Sequence, residues 1–286
     1  MSVAVELDGP PGDTRGARGQ DRPPPDRIRT VVRGIGQTLI TFGLVALLFV
    51  GYELWVTDFL ANREQAQLTQ EIQEQWADDP TVAPPEAVTP EASPAPAPSP
   101  APEHVPAPVQ VSLGQPFSVL HIPRLGTDWS RVVVEGAAQV QLAQGPGHYL
   151  DTALPGEQGN FAVAGHRVGR GSPFLNLDRL QPGDPIVVET ADTWYVYRVL
   201  GDAATGDFRA DPSGIPGQHI VRPSDVQVIS PTPGGAVSDP ASGAYLTLTT
   251  CHPKYSAEQR LIIHARLDGA ALSKASTPDG PPALLG

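Results

Sequence analysis

The chain has 286 residues, 33 of them proline and 29 glycine, and a formal net charge of −12 at pH 7. This acidic balance argues against a nucleic-acid partner, because binding to phosphates needs a basic surface. The single cysteine, Cys251, excludes an internal disulfide and a zinc site built on paired cysteines. We expect one domain of ordinary size, flanked by segments that are not globular.

The N-terminal part of the chain reads as a tail followed by a membrane span. Residues 1–33 are polar and rich in glycine, proline and arginine, which predicts a disordered tail. Residues 34–56 contain one charge, Glu53, and are long enough to cross a bilayer as a helix. A cleaved signal peptide is the alternative, but the apolar run is long and ends in YELWV rather than in small residues.

Charges on the two sides of the predicted span differ. The tail carries six arginines, whereas residues 57–80 contain one basic residue, Arg63, among several acids. The positive-inside rule therefore predicts a cytoplasmic N-terminus, with everything after residue 56 outside the cell.

Residues 57–110 are predicted to form a juxtamembrane helix and then a stalk. Residues 57–79 lack proline and glycine, which favours a helix. Four apolar side chains recur there at helical spacings: Leu60, Leu68, Ile72 and Trp76. From 80 to 108 the chain is dominated by proline and alanine, which favours extended polyproline II and cannot build a core. We expect this stalk to hold a domain away from the lipid.

The folded domain is predicted to occupy residues 111–268, and residues 269–286 to form a flexible C-terminal tail. Short β-type runs alternate with glycine and proline turns along the domain. The predicted strands are 117–122, 131–136, 160–166, 185–190, 193–200, 226–230, 245–251 and 260–267. Strands at this spacing, with few helical repeats, predict an all-β barrel or sandwich.

Three chemically capable side chains stand at the ends of predicted strands. In 245–251 the leucines alternate with threonines, so Cys251 shares the polar face. If this strand forms a hairpin with 260–267, Cys251 and Arg260 flank the loop, while His166 ends an earlier strand. These are the parts of a thiol acyl-transfer site. The thiolate would attack, the imidazole would move protons, and the guanidinium would donate hydrogen bonds to a carbonyl or oxyanion.

Each of these residues also has a simpler interpretation. A lone cysteine is most often a small buried hydrophobe. One histidine among seven is more often structural, and an arginine at a strand start usually faces solvent. His252, directly after the cysteine, is interpreted as a loop residue. Their spacing and their positions at strand ends support the functional interpretation, but the simpler one stays open.

Several segments resemble the sortase family, the membrane-anchored cysteine transpeptidases of Gram-positive bacteria. LTLTTCHP with the following arginine (246–260) is similar to the nucleophile signature. GPGHY and GEQGNFAVAGHR (145–167) are similar to the histidine segment, and LHIPRLG with VVVEGA (120–137) to the opening strands. The motifs occur in the family's order across 117–267. The anchor, the stalk and the TLTTCHP form resemble the actinobacterial class E type.

The resemblance implies an eight-stranded β-barrel with short helices and a groove at one end. It matches Cys251 to the nucleophile that forms a thioacyl intermediate, His166 to the catalytic histidine and Arg260 to the catalytic arginine. Thr249 and Thr250, next to the nucleophile, are candidates for the substrate groove. Some sortases bind calcium, but the sequence has no convincing acidic cluster, so no metal or other cofactor is predicted.

The family's chemistry implies the partners. Sortases cleave the C-terminal sorting signal of a surface protein between Thr and Gly and join the threonine carbonyl to an amine, commonly on a peptidoglycan precursor. Class E is associated with LAXTG-like signals, a variant of LPXTG. Two alternatives stay open: a pilin-polymerising sortase, whose acceptor is a lysine of another subunit, and a catalytically silent barrel that only binds surface partners.

Overall fold

The computed structural model of the chain describes residues 27–52, 57–78 and 104–285. Contacts divide the chain into two units, Met1–Phe49 and Val50–Gly286. In the first unit, helix α1 (Arg27–Gly51) is long and apolar enough to cross a membrane, and none of its residues is buried. It begins inside the predicted tail. Residues 1–26 of that tail and 53–56 of the predicted span lie outside the described residues.

The second unit is a closed β-barrel, as predicted. Its described residues form ten strands: β1 (Pro116–His121), β2 (Ser130–Glu135), β3 (Gly147–His148), β4 (Gly159–Ala164), β5 (Pro185–Glu189), β6 (Thr193–Val199), β7 (Gln218–Val221), β8 (Ala244–His252), β9 (Gln259–Leu267) and β10 (Leu272–Ser273). Eight of them surround the core in the order β6-β5-β1-β2-β3-β4-β8-β9, and the pairing of β9 with β6 closes the ring. β10 flanks β6 and β7 flanks β9.

Seven of the eight predicted strands belong to this ring, but the prediction for 226–230 is wrong. Val226–Ile229 is a 3-10 turn that follows Asp225, whose carboxylate accepts a hydrogen bond from the main-chain nitrogen of Arg222 at 2.9 Å. Val226 is exposed, so its apolar character does not mark a core position. The eighth ring strand is the two-residue β3, which is too short to show a period in the sequence.

The interior of the barrel is filled from alternate strand positions. On β8, Leu246 and Leu248 are fully buried in the main core cluster, as their alternation with threonine predicts. On β9, Leu261, Ile263 and Ala265 belong to the same cluster. Each fully buried aliphatic side chain of this size contributes about 1.5–3 kcal/mol of transfer free energy. The core therefore fixes which residues of β8 and β9 face away from it.

Helix α2 (Thr57–Ala77) packs along the outer wall of the barrel. Leu68 and Ile72, two of the residues predicted at helical spacing, are buried. They form a cluster with Val119, Val132 and Val134 of β1 and β2, and Trp76 packs against it. Gln65 fixes the register, because its Oε1 accepts from the main-chain nitrogen of Val132 at 2.9 Å. The amphipathic pattern of α2 therefore reflects a barrel contact.

The described segments on the two sides of the proline-rich stretch both contact the barrel. Residues 79–103 lie outside the described residues, but both flanks of this segment contact the barrel. Before it, Trp76 lines a cavity that is also lined by Ala107, which follows it. The main-chain nitrogen of Ala107 donates to Asp192 Oδ2 at 2.9 Å. The role of residues 80–108 as a stalk stays a prediction.

The segment predicted as a flexible C-terminal tail also packs on the barrel, which corrects that expectation. Leu272 of β10 pairs with Trp194 of β6, and Leu284 packs against the same region. Lys274 Nζ lies 2.6 Å from Glu189 Oε1 and 4.3 Å from the centre of the Trp76 ring. The segment is rich in Ser, Pro and Gly, so its composition does not show that a few apolar and charged side chains contact the barrel.

Candidate active site

Three neighbouring strands bring the predicted site residues to one end of the barrel. β8 and β9 form the predicted hairpin, and Cys251 lies directly opposite Arg260. Side chains that are directly opposite on an antiparallel pair share a face. β4 runs parallel to β8 on its other side, with Ala164 opposite Thr249. His166 comes two residues after Ala164, as Cys251 comes two residues after Thr249.

The chain continues along β8 past the formal end of β4. The main-chain nitrogen of Gly165 donates to the Thr249 carbonyl oxygen at 3.1 Å, and the Thr250 hydroxyl donates to the Gly165 carbonyl oxygen at 2.8 Å. A Cβ at position 165 would lie 2.5 Å from the ring of Phe174, so only glycine fits this close approach. The Phe174 nitrogen donates to the His166 carbonyl oxygen at 3.0 Å. These contacts fix the backbone that carries the imidazole.

The three site residues are accessible without being loosely placed. Cys251, a free thiol, His166 and Arg260 are all partly buried. Their neighbours on the core side, Leu248 and Leu261, are buried in the main cluster. Because the core takes those neighbours, the alternation of β8 and β9 turns Cys251 and Arg260 away from the interior. The prediction that they flank the mouth of the hairpin loop is borne out by the register.

Arg260 is oriented by the loop between β8 and β9. Its Nη1 donates to the carbonyl oxygens of Ala257 at 2.9 Å and Gln259 at 3.0 Å. In the described part of the chain, Nε and Nη2 contact no acceptor, so the fork keeps donors for a bound group. A guanidinium donates only, which suits it to a carbonyl oxygen or an oxyanion.

The environment of His166 favours its neutral form. Burial lowers the pKa of the imidazole below its ordinary value, and the positive charge of Arg170 lowers it further. Both causes act against the imidazolium, since burial penalises a charge and a nearby cation repels another. His166 therefore rests as a base at neutral pH and takes up a proton only transiently.

The two threonines before the nucleophile have different positions. Thr249 is on the same face as Cys251, and its hydroxyl lies 2.9 Å from the Tyr149 hydroxyl. Thr250 faces the other way, and its hydroxyl donates to the Gly165 carbonyl oxygen; both threonines are buried. Of the two predicted groove residues, only Thr249 is on the side where a substrate of Cys251 would lie.

Sequence reasoning missed one side chain at this site, Arg167. It lies directly after His166, yet it is 3% exposed and its Nη1 contacts both the Cys251 carbonyl oxygen and the ring of His252. His252 itself is the last residue of β8 rather than a loop residue. The available signal was an arginine next to a histidine at a strand end, but its direction depends on tertiary contacts.

A closed barrel that carries a thiol, an imidazole and a guanidinium at the ends of adjacent strands has the parts of a thiol acyl-transfer site. Comparison with known proteins agrees. The family model described as the sortase domain matches residues 120–268. Sortase SrtE2 of Streptomyces coelicolor is 31% identical over 276 residues, covering 93% of each chain. Sortase SrtE1 of the same organism is 34% identical over 242 residues, covering 82% of this chain and 56% of SrtE1.

Solved structures show the same likeness. The SrtF sortase from Corynebacterium diphtheriae is 40% identical with a TM-score of 0.57, covering 64% of this chain and all of that one. The SrtA sortase from Actinomyces oris is 34% identical with a TM-score of 0.52, covering 63% and 94%. The chain belongs to the sortase family of cysteine transpeptidases, and its resemblance to the class E type is confirmed.

Proposed function

We propose that the protein is a membrane-anchored extracellular transpeptidase that cleaves an LAXTG- or LPXTG-like sorting signal between Thr and Gly. It then joins the threonine carbonyl to an amine of a peptidoglycan precursor. One observation supports the site assignment above all others: Cys251 lies directly opposite Arg260 on β8 and β9, and His166 comes two residues after Ala164, whose partner Thr249 comes two residues before Cys251.

In the first half-reaction, His166 takes the proton of the Cys251 thiol, and the resulting thiolate attacks the carbonyl carbon of the threonine. A carbon–sulfur bond forms, the carbon–nitrogen bond to glycine breaks, and His166 gives its proton to the departing amine. The carbonyl oxygen carries negative charge in between, and Arg260 donates hydrogen bonds to it. The product is a thioacyl enzyme and a released glycine end.

In the second half-reaction, an amine attacks the thioester carbon. His166, now neutral, takes the proton from the attacking nitrogen, and the Cys251 thiolate leaves as the new amide forms. Water can replace the amine and yields a free carboxylate, so hydrolysis is the expected side reaction. The resting neutral state of His166 suits this second step, because it needs a base.

The direct test uses the full-length protein in detergent, fluorescent LAXTG and LPXTG peptides, a scrambled peptide, and a peptidoglycan stem peptide with a free amine. Mass spectrometry should find the thioacyl enzyme and the ligated product with a sorting peptide and neither with the scrambled one. Cys251→Ala should abolish both products without changing the melting temperature. Full transfer by this variant would rule the assignment out.

The acceptor is tested by competition. A lysine-containing pilin-like peptide and the stem peptide are supplied together at equal concentration. We expect the stem-peptide adduct to dominate, and a dominant lysine adduct would replace wall anchoring by pilin polymerisation. No adduct with either, together with an unreactive Cys251, would favour the silent barrel.

The topology is tested through the chain's one cysteine. The six arginines up to residue 33 and the acids after residue 56 support a cytoplasmic N-terminus and an external barrel. A membrane-impermeant maleimide should therefore label Cys251 in intact cells and leave the Cys251→Ala variant unlabelled. Labelling that occurs only after the cells are opened would reverse the orientation.

A further inference from the structure

Arg167 is a buried charge beside the site that the proposed mechanism does not use. It is 3% exposed, although Arg170, three residues later, is exposed. Removing a guanidinium from water is costly unless its hydrogen-bond donors find partners. The hydrogen-bond partners of Arg167 therefore indicate why a charged side chain is buried at this position.

Nη1 of Arg167 contacts the strand that carries the nucleophile. It donates to the Cys251 carbonyl oxygen at 3.3 Å and lies 3.0 Å from His252 Nδ1. Because a guanidinium only donates, His252 Nδ1 must be the acceptor. His252 is then neutral with its proton on Nε2. One side chain thus holds the main chain of Cys251 and the ring that follows it.

Nη2 of Arg167 contacts a second element. Asp178, in the 3-10 turn Leu177–Arg179, places Oδ1 3.2 Å from this nitrogen. The other oxygen of the same carboxylate lies 3.7 Å from Lys254 Nζ, in the loop after β8. Arg167 therefore joins the end of β4, the end of β8 and this turn at one point.

The pairing of Arg167 is incomplete. Among the described residues, its Nε is buried without a hydrogen-bond partner. An unpaired buried donor is destabilising, and well-packed apolar side chains often fill such a space at lower cost. Packing alone therefore does not explain an arginine at this position. The two Nη atoms, which contact acceptors on β8 and on the 3-10 turn, do explain it.

We propose that Arg167 is a positioning residue for acyl transfer: it ties the strand end that carries His166 to the main chain of Cys251 and to His252. This inference rests on the proposed function. It matters because the thiol and the imidazole must meet the same substrate bond, and a displacement of about 1 Å costs about 10²-fold in rate. Arg167 acts through Cys251 and His252 and does not touch the reacting atoms.

The test compares Arg167→Met and Arg167→Lys with Arg198→Met in the full-length protein. Arg198 of β6 is the control, since it is a paired arginine away from the site: it lies 3.1 Å from Asp268, the residue after β9, and its side chain is 42% exposed. Arg167→Met should lower kcat about 10²-fold with little change in KM. Arg167→Lys keeps the charge but cannot span both acceptors, so its kcat should fall about tenfold. Arg198→Met should match the wild type.

Several results would overturn the proposal. If Arg167→Lys folds and has the wild-type kcat, the guanidinium does not position the site. A change in KM with kcat unchanged would lead to the same conclusion. If Arg167→Met does not fold, the kcat of Arg167→Lys alone tests the proposal. Nitrogen NMR gives a readout that a general loss of stability does not mimic: the unprotonated Nδ1 signal of His252 should be present in the wild type and altered in both Arg167 variants.

The proposal can fail separately from the proposed function. If the wild type transfers no peptide, the transpeptidase assignment to these substrates fails. Alkylation of Cys251 by iodoacetamide, which needs no sorting peptide, then tests Arg167. We expect the alkylation rate to change by about threefold or more in Arg167→Met, since a misplaced thiol is presented differently. An unchanged rate in that case would end the inference.

Discussion

The same three strands carry two polar trios with opposite properties. At their ends, His166, Cys251 and Arg260 are partly buried and open to a substrate. Further along β4, β8 and β9 lie Asn160, Thr247 and His264, each at most 1% exposed. Both trios contain a histidine. The position along the strand decides which one can take up a proton.

The hydrogen bonds of the buried trio fix its protons. Asn160 Nδ2 donates to two main-chain carbonyls, so its Oδ1 is the atom that faces Thr247. The Thr247 hydroxyl donates to that oxygen at 2.8 Å. His264 Nδ1, also 2.8 Å from the hydroxyl, must then be the donor. Its Nε2 is left without a proton or a partner in the described part of the chain.

A second proton on His264 would therefore have to bind Nε2, which is buried and has no hydrogen-bond partner among the described residues. Burial, together with a smaller contribution from His219 beside it, lowers the pKa of His264 to about 3. The pKa of His166 is lowered for the same leading reason, but this histidine is at the rim, where water and substrate can reach it. Burial turns one histidine into a hydrogen-bonded core residue and leaves the other as a usable base.

The largest expected difference between the trios is in catalysis. His166→Ala should lower the rate of transfer by about 10²–10⁴-fold, because it removes the group that gives and takes the proton. The melting temperature should stay near that of the wild type, since His166 is partly exposed. Stopped-flow transfer assays and calorimetry on the same sample measure both quantities. A variant that unfolds along with its loss of activity would place His166 with the structural trio instead.

The reciprocal change tests the buried histidine. His264→Ala should lower the free energy of unfolding by about 2–4 kcal/mol, because it opens a cavity and removes the partner of Thr247. Transfer per folded molecule should remain at the wild-type level. Urea titration followed by tryptophan fluorescence gives the first value, and activity below the unfolding midpoint gives the second. Lost turnover with unchanged stability would contradict the comparison.

Acid should sharpen the contrast further. Above pH 6.5 the folded and unfolded states both hold a neutral His264, so its contribution to stability is fully present. As the pH falls from 6.5 towards about 3, the unfolded chain takes up a proton that the folded chain refuses. Stability then declines by at most about 1.4 kcal/mol per pH unit for this one group.

The measurement is the difference in unfolding free energy between the wild type and His264→Ala at pH 7.5, 5.5 and 4.5. His219, whose pKa is also lowered by burial, adds its own slope, and its ring centre lies 5.1 Å from that of His264, so the same difference is also measured in a His219→Ala background. The advantage of the wild type should shrink as the pH falls. A difference that stays constant across this range would mean that His264 titrates normally in the folded state.

Much of the barrel could be predicted because strand patterns are local. Period-two alternation marks β8 and β9, since every second side chain enters the core. β3 has two residues and shows no period, and α2 shows its amphipathic pattern without showing the surface that covers it. Proline content indicates that residues 80–108 build no core, but it cannot tell that the flanks of this segment contact the same barrel.

The site divides in the same way. The shared face of Cys251 and Arg260 follows from a hairpin, which is a local structure. The strand that precedes His166 lies beside the strand of Cys251 through a parallel pairing between distant segments, which no local pattern predicts. The inward direction of Arg167 depends on contacts with β8 and with Asp178, which no pattern near residue 167 encodes.

The smallest predicted effect concerns the charge next to the open trio. Arg170→Gln should raise the pKa of His166 towards its ordinary value, because it removes a repelling cation while burial, the larger cause, remains. Arg179→Gln is the control, since Arg179 is also an exposed arginine near the site but does not contribute to the His166 shift. NMR titration of the imidazole at low salt measures both variants. Added salt should erase the difference, because exposed charges are screened. If the His166 imidazole has the same pKa in Arg170→Gln and Arg179→Gln at low salt, burial alone lowers it from the value of a histidine in water. The histidines of the two trios would then differ only in how deeply they are buried.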